Sequence, residues 1–341
     1  MHFKNIATII TIIVGNKING CYNYVMDIQK ARPQQNLVLQ QNYIIAATST
    51  NTRKAYQQDI RHFVAWGGLL PTTPDVVVQY LEYYAAKLNS RTLIRRVTAL
   101  KNWHLYQNFS DSTGHPLVRK TLTGIQNIHG KPKDKAAALQ VKDLITMINF
   151  LTARGTMHDW RNNALLQIGF FGAFRRSELV AIKYQHLQFV HKGLEILIPR
   201  SKTDQSGEGL WCAIPYGDAT LCPVVALKTW CEKANITEGF IFRSITKSGI
   251  INNDAIAAEH LNIILKNLAK LCSLSNHKNY SSHSLRRGFA TAASQQGASL
   301  GAIMKQGRWR HYDTALGYVE EGQRFTDNAA SIILDKGSWQ K

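Results

Sequence analysis

The sequence predicts a mainly α-helical protein: a helical N-terminal domain, then a mixed, mostly helical domain with a small antiparallel three-stranded sheet. Three observations predict it. Apolar residues recur at helical spacing from about residue 40 to residue 130. Between Leu187 and Pro215 the pattern changes to short apolar runs separated by turn residues. Between these stretches, Lys131-Pro-Lys-Asp-Lys135 has the charge and proline of an exposed connection. The 341 residues leave room for two cores, which gives an N-terminal extension over 1–39, a helical domain over 40–130, a basic linker over 131–138 and a second domain over 139–341.

In the first domain, Thr50-Asn51-Thr52 supplies capping residues ahead of Tyr56, Ile60, Phe63, Val64 and Trp66, and Gly67-Gly68 with Pro71 stops that helix. A second helix starts at Pro74-Asp75 and carries Val77, Val78, Leu81 and Tyr84. Asn89-Ser90 caps a third, whose apolar face is Leu93, Val97, Leu100 and Trp103. A fourth, shorter helix is expected around Leu117 to Ile128.

In the second domain, Leu139 to Leu151 and Trp160 to Phe171 read as helices. Leu187–Val190, Leu194–Pro199 and Leu210–Pro215 read as three strands, with a turn at His191-Lys-Gly193 and a polar loop from Arg200 to Gly209. Helices are expected again at Cys222–Cys231 and Asp254–Leu271, and on to Asp335 with short breaks.

Charge narrows the function class. Lys and Arg total 41 against 22 Asp and Glu, a formal net charge of +19, which points to a polyanionic partner with nucleic acid first. The surplus is concentrated: residues 85–135 hold ten Lys/Arg and two Asp. Such a run can be a solvated helix face, but here it flows into the basic linker. Arg91, Arg95, Arg96, Lys101, Lys131, Lys133 and Lys135 are therefore the expected nucleic-acid phosphate contacts. The five cysteines are scattered and include no C-x-x-C, the pattern of a reduced cytoplasmic protein rather than of a disulfide framework or a zinc site. The apolar stretch Ile6–Val14 is too short to span a bilayer, and Met26 stands just before more ordinary sequence as an alternative start. Neither a metal nor a nucleotide cofactor is expected, since no G-x-x-x-x-G-K-[ST] loop, His-apolar-His triplet or carboxylate cluster occurs.

Four separated features carry chemistry. They are Gly172-Ala-Phe-Arg175-Arg-Ser-Glu178-Leu; Lys202 within Arg200-Ser-Lys-Thr-Asp204; His283-Ser-Leu-Arg286 followed by Gly288-Phe-Ala-Thr; and Gly307-Arg-Trp309 with Tyr318 nine residues further on. Each alone has a plain explanation: a surface arginine, a loop lysine, a capped helix end, a core tyrosine. Their order and spacing together resemble the tyrosine recombinases of the phage-integrase family, whose signature runs Arg, Lys, His-x-x-Arg, His or Trp, Tyr. The resemblance spans roughly Gln40 to Asp335, specific in the second half and one of pattern in the first, which is similar to the family's helical, SAM-like core-binding domain. Register with Ser177-Glu178-Leu179 selects Arg175 over Arg176 as the boxed arginine, and Trp309 stands where most members carry His.

The resemblance implies site-specific cleavage and rejoining of double-stranded DNA through a 3′-phosphotyrosyl intermediate on Tyr318, in a homotetramer on DNA. It gives integration, excision or inversion of DNA, as in a mobile element. The chemistry is coherent without a metal. Two guanidinium forks, Arg175 and Arg286, can take up the charge that gathers on non-bridging phosphate oxygens. A tyrosine hydroxyl ordinarily holds its proton up to pH ~10, so the arginines and a base such as His283 must help it attack. Lys202 is the implied proton donor to the leaving 5′-oxygen, Glu178 a supporting ion-pair partner, and Trp309 a packing residue against the nucleophile. Competing expectations are DNA relaxation by a type IB topoisomerase with the same chemistry, and a non-catalytic DNA-binding regulator.

Overall fold

A computed structural model describes residues 47–132, 135–200, 208–218 and 220–324, with 329, 330 and 334. The chain forms two compact units divided between residues 133 and 134.

The first unit contains α1 (Thr50–Trp66), α2 (Pro74–Tyr84), α3 (Ser90–Tyr106) and α4 (Pro116–His129). Ser49 rather than a residue of Thr50-Asn-Thr52 is the cap of α1: its Oγ accepts from the Thr52 N–H, and Gly67 ends the helix in the left-handed region at φ 111°. Pro74 opens α2, Asn89 Oδ1 accepts from the Arg91 N–H to cap α3, and His115 Nδ1 accepts from the Leu117 N–H to cap α4. The buried faces meet in one core that includes Phe63, Val77, Tyr80, Leu81, Leu93, Leu100, Val118 and Ile125.

A polar network lies beside that core. Asp59 is buried on α1 and receives both Nε and Nη2 of Arg95 at 2.8 Å. The Arg96 Nε lies 3.6 Å from the same carboxylate, and its Nη1 donates to the Tyr80 hydroxyl at 2.9 Å. This corrects one expectation. Arg96 is not a free phosphate contact but a buried arginine engaged inside the unit with Tyr80 and Asp59, because the helical turn from Arg95 to Arg96 points it at α1 and α2. Arg95 keeps its side chain half exposed while bridging Asp59.

The second unit is organised around α6 (Met157–Phe171), buried on nearly every side and started by a capping box between Thr156 and Asp159. Against it pack α5 (Val141–Arg154), α8 (Pro223–Lys233) and α10 (Ser282–Gln295). The short α7 (Arg176–Val180) follows directly on α6. Strands β1 (Leu187–Val190), β2 (Gly193–Ile198) and β3 (Leu210–Pro215) form the expected antiparallel sheet, with Leu187 opposite Ile196 and Ile196 opposite Cys212. Leu194, Ile196 and Ile198 of β2 are buried in the main core with Phe170, Phe174 and Trp230.

A second, two-stranded sheet was not expected. Strand β4 (Arg243–Ile245) pairs with β5 (Ile251–Ala255), so Asp254 and Ala255 belong to a strand and helix α9 begins only at His260, ending at Leu271. Side chains also bond across the pairing: Arg243 Nη1 donates to Asn253 Oδ1 at 2.7 Å and Asn252 Nδ2 donates to Ser244 Oγ at 2.9 Å. Two further helices follow, α11 (Leu300–Gly307) and α12 (Tyr312–Gly322). They join α10 through a separate small core of Ala290, Ile303, Trp309, Ala315 and Val319. Among the described residues no helix is long and apolar enough to cross a membrane.

Candidate active site

Arg175 is the N-cap of α7, held by its own box. Its backbone N–H donates to Glu178 Oε2 at 3.1 Å, and its Nη1 donates to Oε1 at 2.6 Å. Glu178 sits three residues into the sequence Arg-Arg-Ser-Glu, where a helix N-terminus favours a carboxylate. The same carboxylate is approached at 3.4 Å by the Arg308 Nη2. Burial alone would raise the Glu178 carboxyl, but Arg308 and Arg175 outweigh it and hold it below the usual carboxylate range.

The turn before Arg175 is strained. Ala173 has φ 46°, a region where a side chain costs about 1 to 3 kcal/mol. In exchange its carbonyl points at two guanidinium groups, accepting from Arg286 Nη1 and, at 3.4 Å, from Arg308 Nη2. Gly172 O accepts from the same Arg308 nitrogen at 3.0 Å. Arg308 is itself in the left-handed region, φ 55°, at the C-cap of α11. These two non-glycine residues thus adopt an unfavoured backbone where the arginines converge.

Arg286 is buried on α10, one helical turn after His283, which is exposed in the first turn. Its guanidinium lies over the Trp309 ring, 4.1 Å from the centroid. The Arg286 Nη2 is buried and has no partner among the described residues. Burial, with the positive charges of Arg175 and Arg308 close by, pushes Arg286 down to about 9. An arginine so crowded by like charge and so poorly hydrated would be stabilised by an anion beside it.

Trp309 is 8% exposed and its ring lies 5.6 Å from that of Tyr318, tilted by 49°. The ring leaves no space at Gly307, where an added Cβ would meet it at 1.8 Å. Tyr318 is half-buried on α12 and interacts electrostatically with Arg286. That helix is lightly anchored: its buried apolar residues are Ala315 and Val319, worth about 3 kcal/mol together. Polar ties supplement them. Arg287 Nη2 is paired with Glu321, Ser294 Oγ donates to Val319 O at 3.2 Å, and Gly322 lies where a Cβ would come within 2.8 Å of Thr291 O.

The structure therefore brings together Arg175 and Glu178 at the start of α7, Arg286 of α10, Trp309 of the link between α11 and α12, and Tyr318 of α12. Lys202 lies outside the described residues, in the segment between β2 and β3. Arg308 has no position in the sequence signature, and nothing in Gly307-Arg-Trp309 marks it apart from other arginines. Of the expected DNA contacts, Arg91, Lys101, Lys131 and Lys135 are exposed, and Lys133 lies outside the described residues. Arg91 Nη1 donates to Lys131 O at 3.3 Å, so the start of α3 and the beginning of the basic segment are adjacent.

Residues 137–323, which contain all six expected catalytic positions, match the family model described as phage integrase family. The chain belongs to the phage integrase family. An integrase/recombinase xerD homolog of Selenomonas ruminantium is 35% identical over 295 residues, covering 84% of this chain and 86% of that relative. Among solved structures, the fold is shared with XerH site-specific recombinase bound to palindromic difH substrate, at TM-score 0.59 and 17% identity over 83% of this chain and 79% of that one. It is shared also with a lambda integrase dimer bound to a COC′ core site, at TM-score 0.58 and 15% identity over 86% of this chain and 79% of the other. The integrase is thus a tyrosine-type, site-specific recombinase that cleaves and rejoins DNA.

Proposed function

We propose that this integrase exchanges DNA strands through a 3′-phosphotyrosyl intermediate formed on Tyr318. The observation that carries the reading is the gathering of three guanidinium groups, Arg175 and Arg308 on the buried Glu178 carboxylate and Arg286 beside Arg308 on the Ala173 carbonyl, with the Arg286 Nη2 buried and unpartnered among the described residues. Such a cluster is under-neutralised until an anion arrives. A scissile phosphodiester supplies that anion and gathers further charge as its phosphorus becomes five-coordinate, so the site favours the transition state over the bound ground state.

In the proposed step the Tyr318 oxygen bonds to phosphorus while the bond from phosphorus to the 5′-oxygen breaks. The phenolic proton passes to His283, and Lys202 delivers a proton to the departing 5′-oxygen. Arg175 and Arg286 hold the non-bridging oxygens, Glu178 orients Arg175, and Trp309 keeps Arg286 and Tyr318 in register. The phosphotyrosyl link preserves the energy of the broken linkage, so attack by a free 5′-hydroxyl rejoins DNA without a nucleotide cofactor.

The same reading assigns residues 40–130 as a core-binding domain, 131–138 as a linker and 139–341 as the catalytic domain. It makes Arg91, Lys101, Lys131, Lys133 and Lys135, with Arg95 at its exposed edge, the phosphate contacts that position specific double-stranded DNA. It also has a homotetramer of this chain performing the exchange, on DNA in the cytoplasm, as an element that moves or resolves DNA.

The test is a nicked suicide substrate that traps the covalent complex. Tyr318→Phe is expected to bind the recombination site and form no adduct; an adduct on the Phe variant refutes the nucleophile. Lys202→Ala is expected to be crippled on ordinary DNA and restored on a 5′-bridging phosphorothiolate, whose sulfur leaves without a proton. Equal loss on both substrates refutes acid catalysis by Lys202. Relaxation of supercoils without joining of two sites would replace recombination by a topoisomerase activity.

A further inference from the structure

We infer that Arg308 is a positioning residue that sets the charge of the active site: it balances Glu178, so that Arg175 and Arg286 meet the phosphate with their charge undiminished. The inference rests on the proposed phosphotyrosyl mechanism and adds to it a residue that the catalytic signature does not contain.

The geometry places Arg308 behind the phosphate-binding groups rather than among them. It is 8% exposed, and its Nη2 reaches Glu178 Oε2 at 3.4 Å and Gly172 O at 3.0 Å, while its Nη1 donates to Gln306 O at 2.8 Å. Its guanidinium lies 4.6 Å from the centroid of the Phe174 ring. An apolar wall on one side and buried carbonyls on the other keep water from screening it, so its charge is felt across the cluster. The backbone supports the arrangement at a cost, since Arg308 holds φ 55° to turn its side chain under the α6–α7 junction.

Glu178 faces two tasks in conflict. It orients Arg175 through two hydrogen bonds, yet its negative charge subtracts from the field that Arg175 offers to phosphate. Arg308 resolves the conflict. Three guanidinium charges less one carboxylate leave two positive charges, which match the two negative charges on the non-bridging oxygens of a five-coordinate phosphorus. Without Arg308 the balance falls to one, and the transition state loses more than the singly charged ground state.

The charge of the substrate provides the test. A methylphosphonate at the scissile position lacks one anionic oxygen, so its transition state carries one negative charge and needs one positive charge fewer. Arg308→Gly suits the left-handed backbone and removes the side chain. Cleavage of the phosphodiester by this variant is expected to fall on the order of 100-fold, with DNA affinity nearly unchanged. On the methylphosphonate the loss should shrink to about fivefold or less, and adding Glu178→Gln to Arg308→Gly should recover about tenfold on the phosphodiester by restoring the charge balance. Arg308→Lys, which keeps the charge, should stay within about tenfold of wild type and serves if the glycine variant does not fold. Equal losses on both substrates with no recovery from Glu178→Gln, or a lysine variant as damaged as the glycine variant, would reduce Arg308 to packing support and overturn the inference. Tyr318→Phe in parallel separates the two readings: a covalent adduct there refutes the nucleophile, whatever Arg308 does.

Discussion

Substituting Trp309 tests whether the indole acts by packing or by its N–H. The ring is 8% exposed, lies 5.6 Å from the Tyr318 ring and stacks 4.1 Å beneath the Arg286 guanidinium. Trp309→Ala removes all of this at once. Truncating a buried aromatic costs about 3 to 5 kcal/mol, and here much of that falls on the contact that seats α12 and Arg286. Single-turnover cleavage should therefore drop by at least about 100-fold, since 1.4 kcal/mol corresponds to tenfold in rate. Trp309→Phe keeps an apolar ring under Arg286 and gives up area and part of the cation–π attraction, about 1 kcal/mol, so its rate should fall only about fivefold. Trp309→His, smaller and polar, should lie between. The assay is covalent capture on a suicide substrate, with DNA binding and cooperative melting confirmed for each variant. A folded, DNA-bound Trp309→Phe as inactive as Tyr318→Phe would refute the packing account and make the indole N–H the main contribution.

Gly307→Ala pushes a methyl to within 1.8 Å of the Trp309 ring, so it should lower cleavage through overpacking worth about 1 to 3 kcal/mol while sparing DNA affinity. A wild-type rate would show that the ring has room to shift. Arg96→Met leaves the buried Asp59 with Arg95 as its remaining arginine and should destabilise the first unit by about 3 kcal/mol in denaturant titration, without changing the salt dependence of DNA binding. Lys101→Ala should do the reverse, flattening the plot of log affinity against log salt by about one unit at constant stability; a flattened slope in Arg96→Met would return that arginine to the DNA. Glu321→Gln breaks the tie to Arg287 on a helix held by little apolar burial, and should slow covalent capture by about fivefold with binding intact. An unchanged rate would show that Ala315 and Val319 suffice.

Local pattern carried much of this protein into view. The helical spacing around Phe63, Val77, Leu93 and Leu117 foretold four helices, and their buried faces form one core, because a 3.6-residue period gathers the apolar residues of a helix on one face. The short apolar run Leu194–Pro199, bounded by turn residues, foretold the central strand, whose Leu194, Ile196 and Ile198 the fold then buries. Where no alternating face marks a strand, the sequence misled: Ile251-Asn-Asn-Asp-Ala255 has no alternation and its end reads as the start of a helix, yet in the fold it pairs with Arg243–Ile245.

The order of Arg175, His283, Arg286, Trp309 and Tyr318 was legible through its resemblance to the signature of a known family, and guanidinium forks beside a phenol are residue types that suit phosphate chemistry. What each charged residue does with its charge was not legible. Arg95 and Arg96 are neighbours of equal sequence character, yet one is half exposed and the other is buried against Tyr80. Arg308 is one arginine among many until α11 turns left-handed and carries it to Glu178, 130 residues earlier in the chain. Sequence determines which groups are present and which local periods they follow. Only the tertiary structure decides which charges lose their water and which partners they meet, because both depend on distances between residues far apart in the chain.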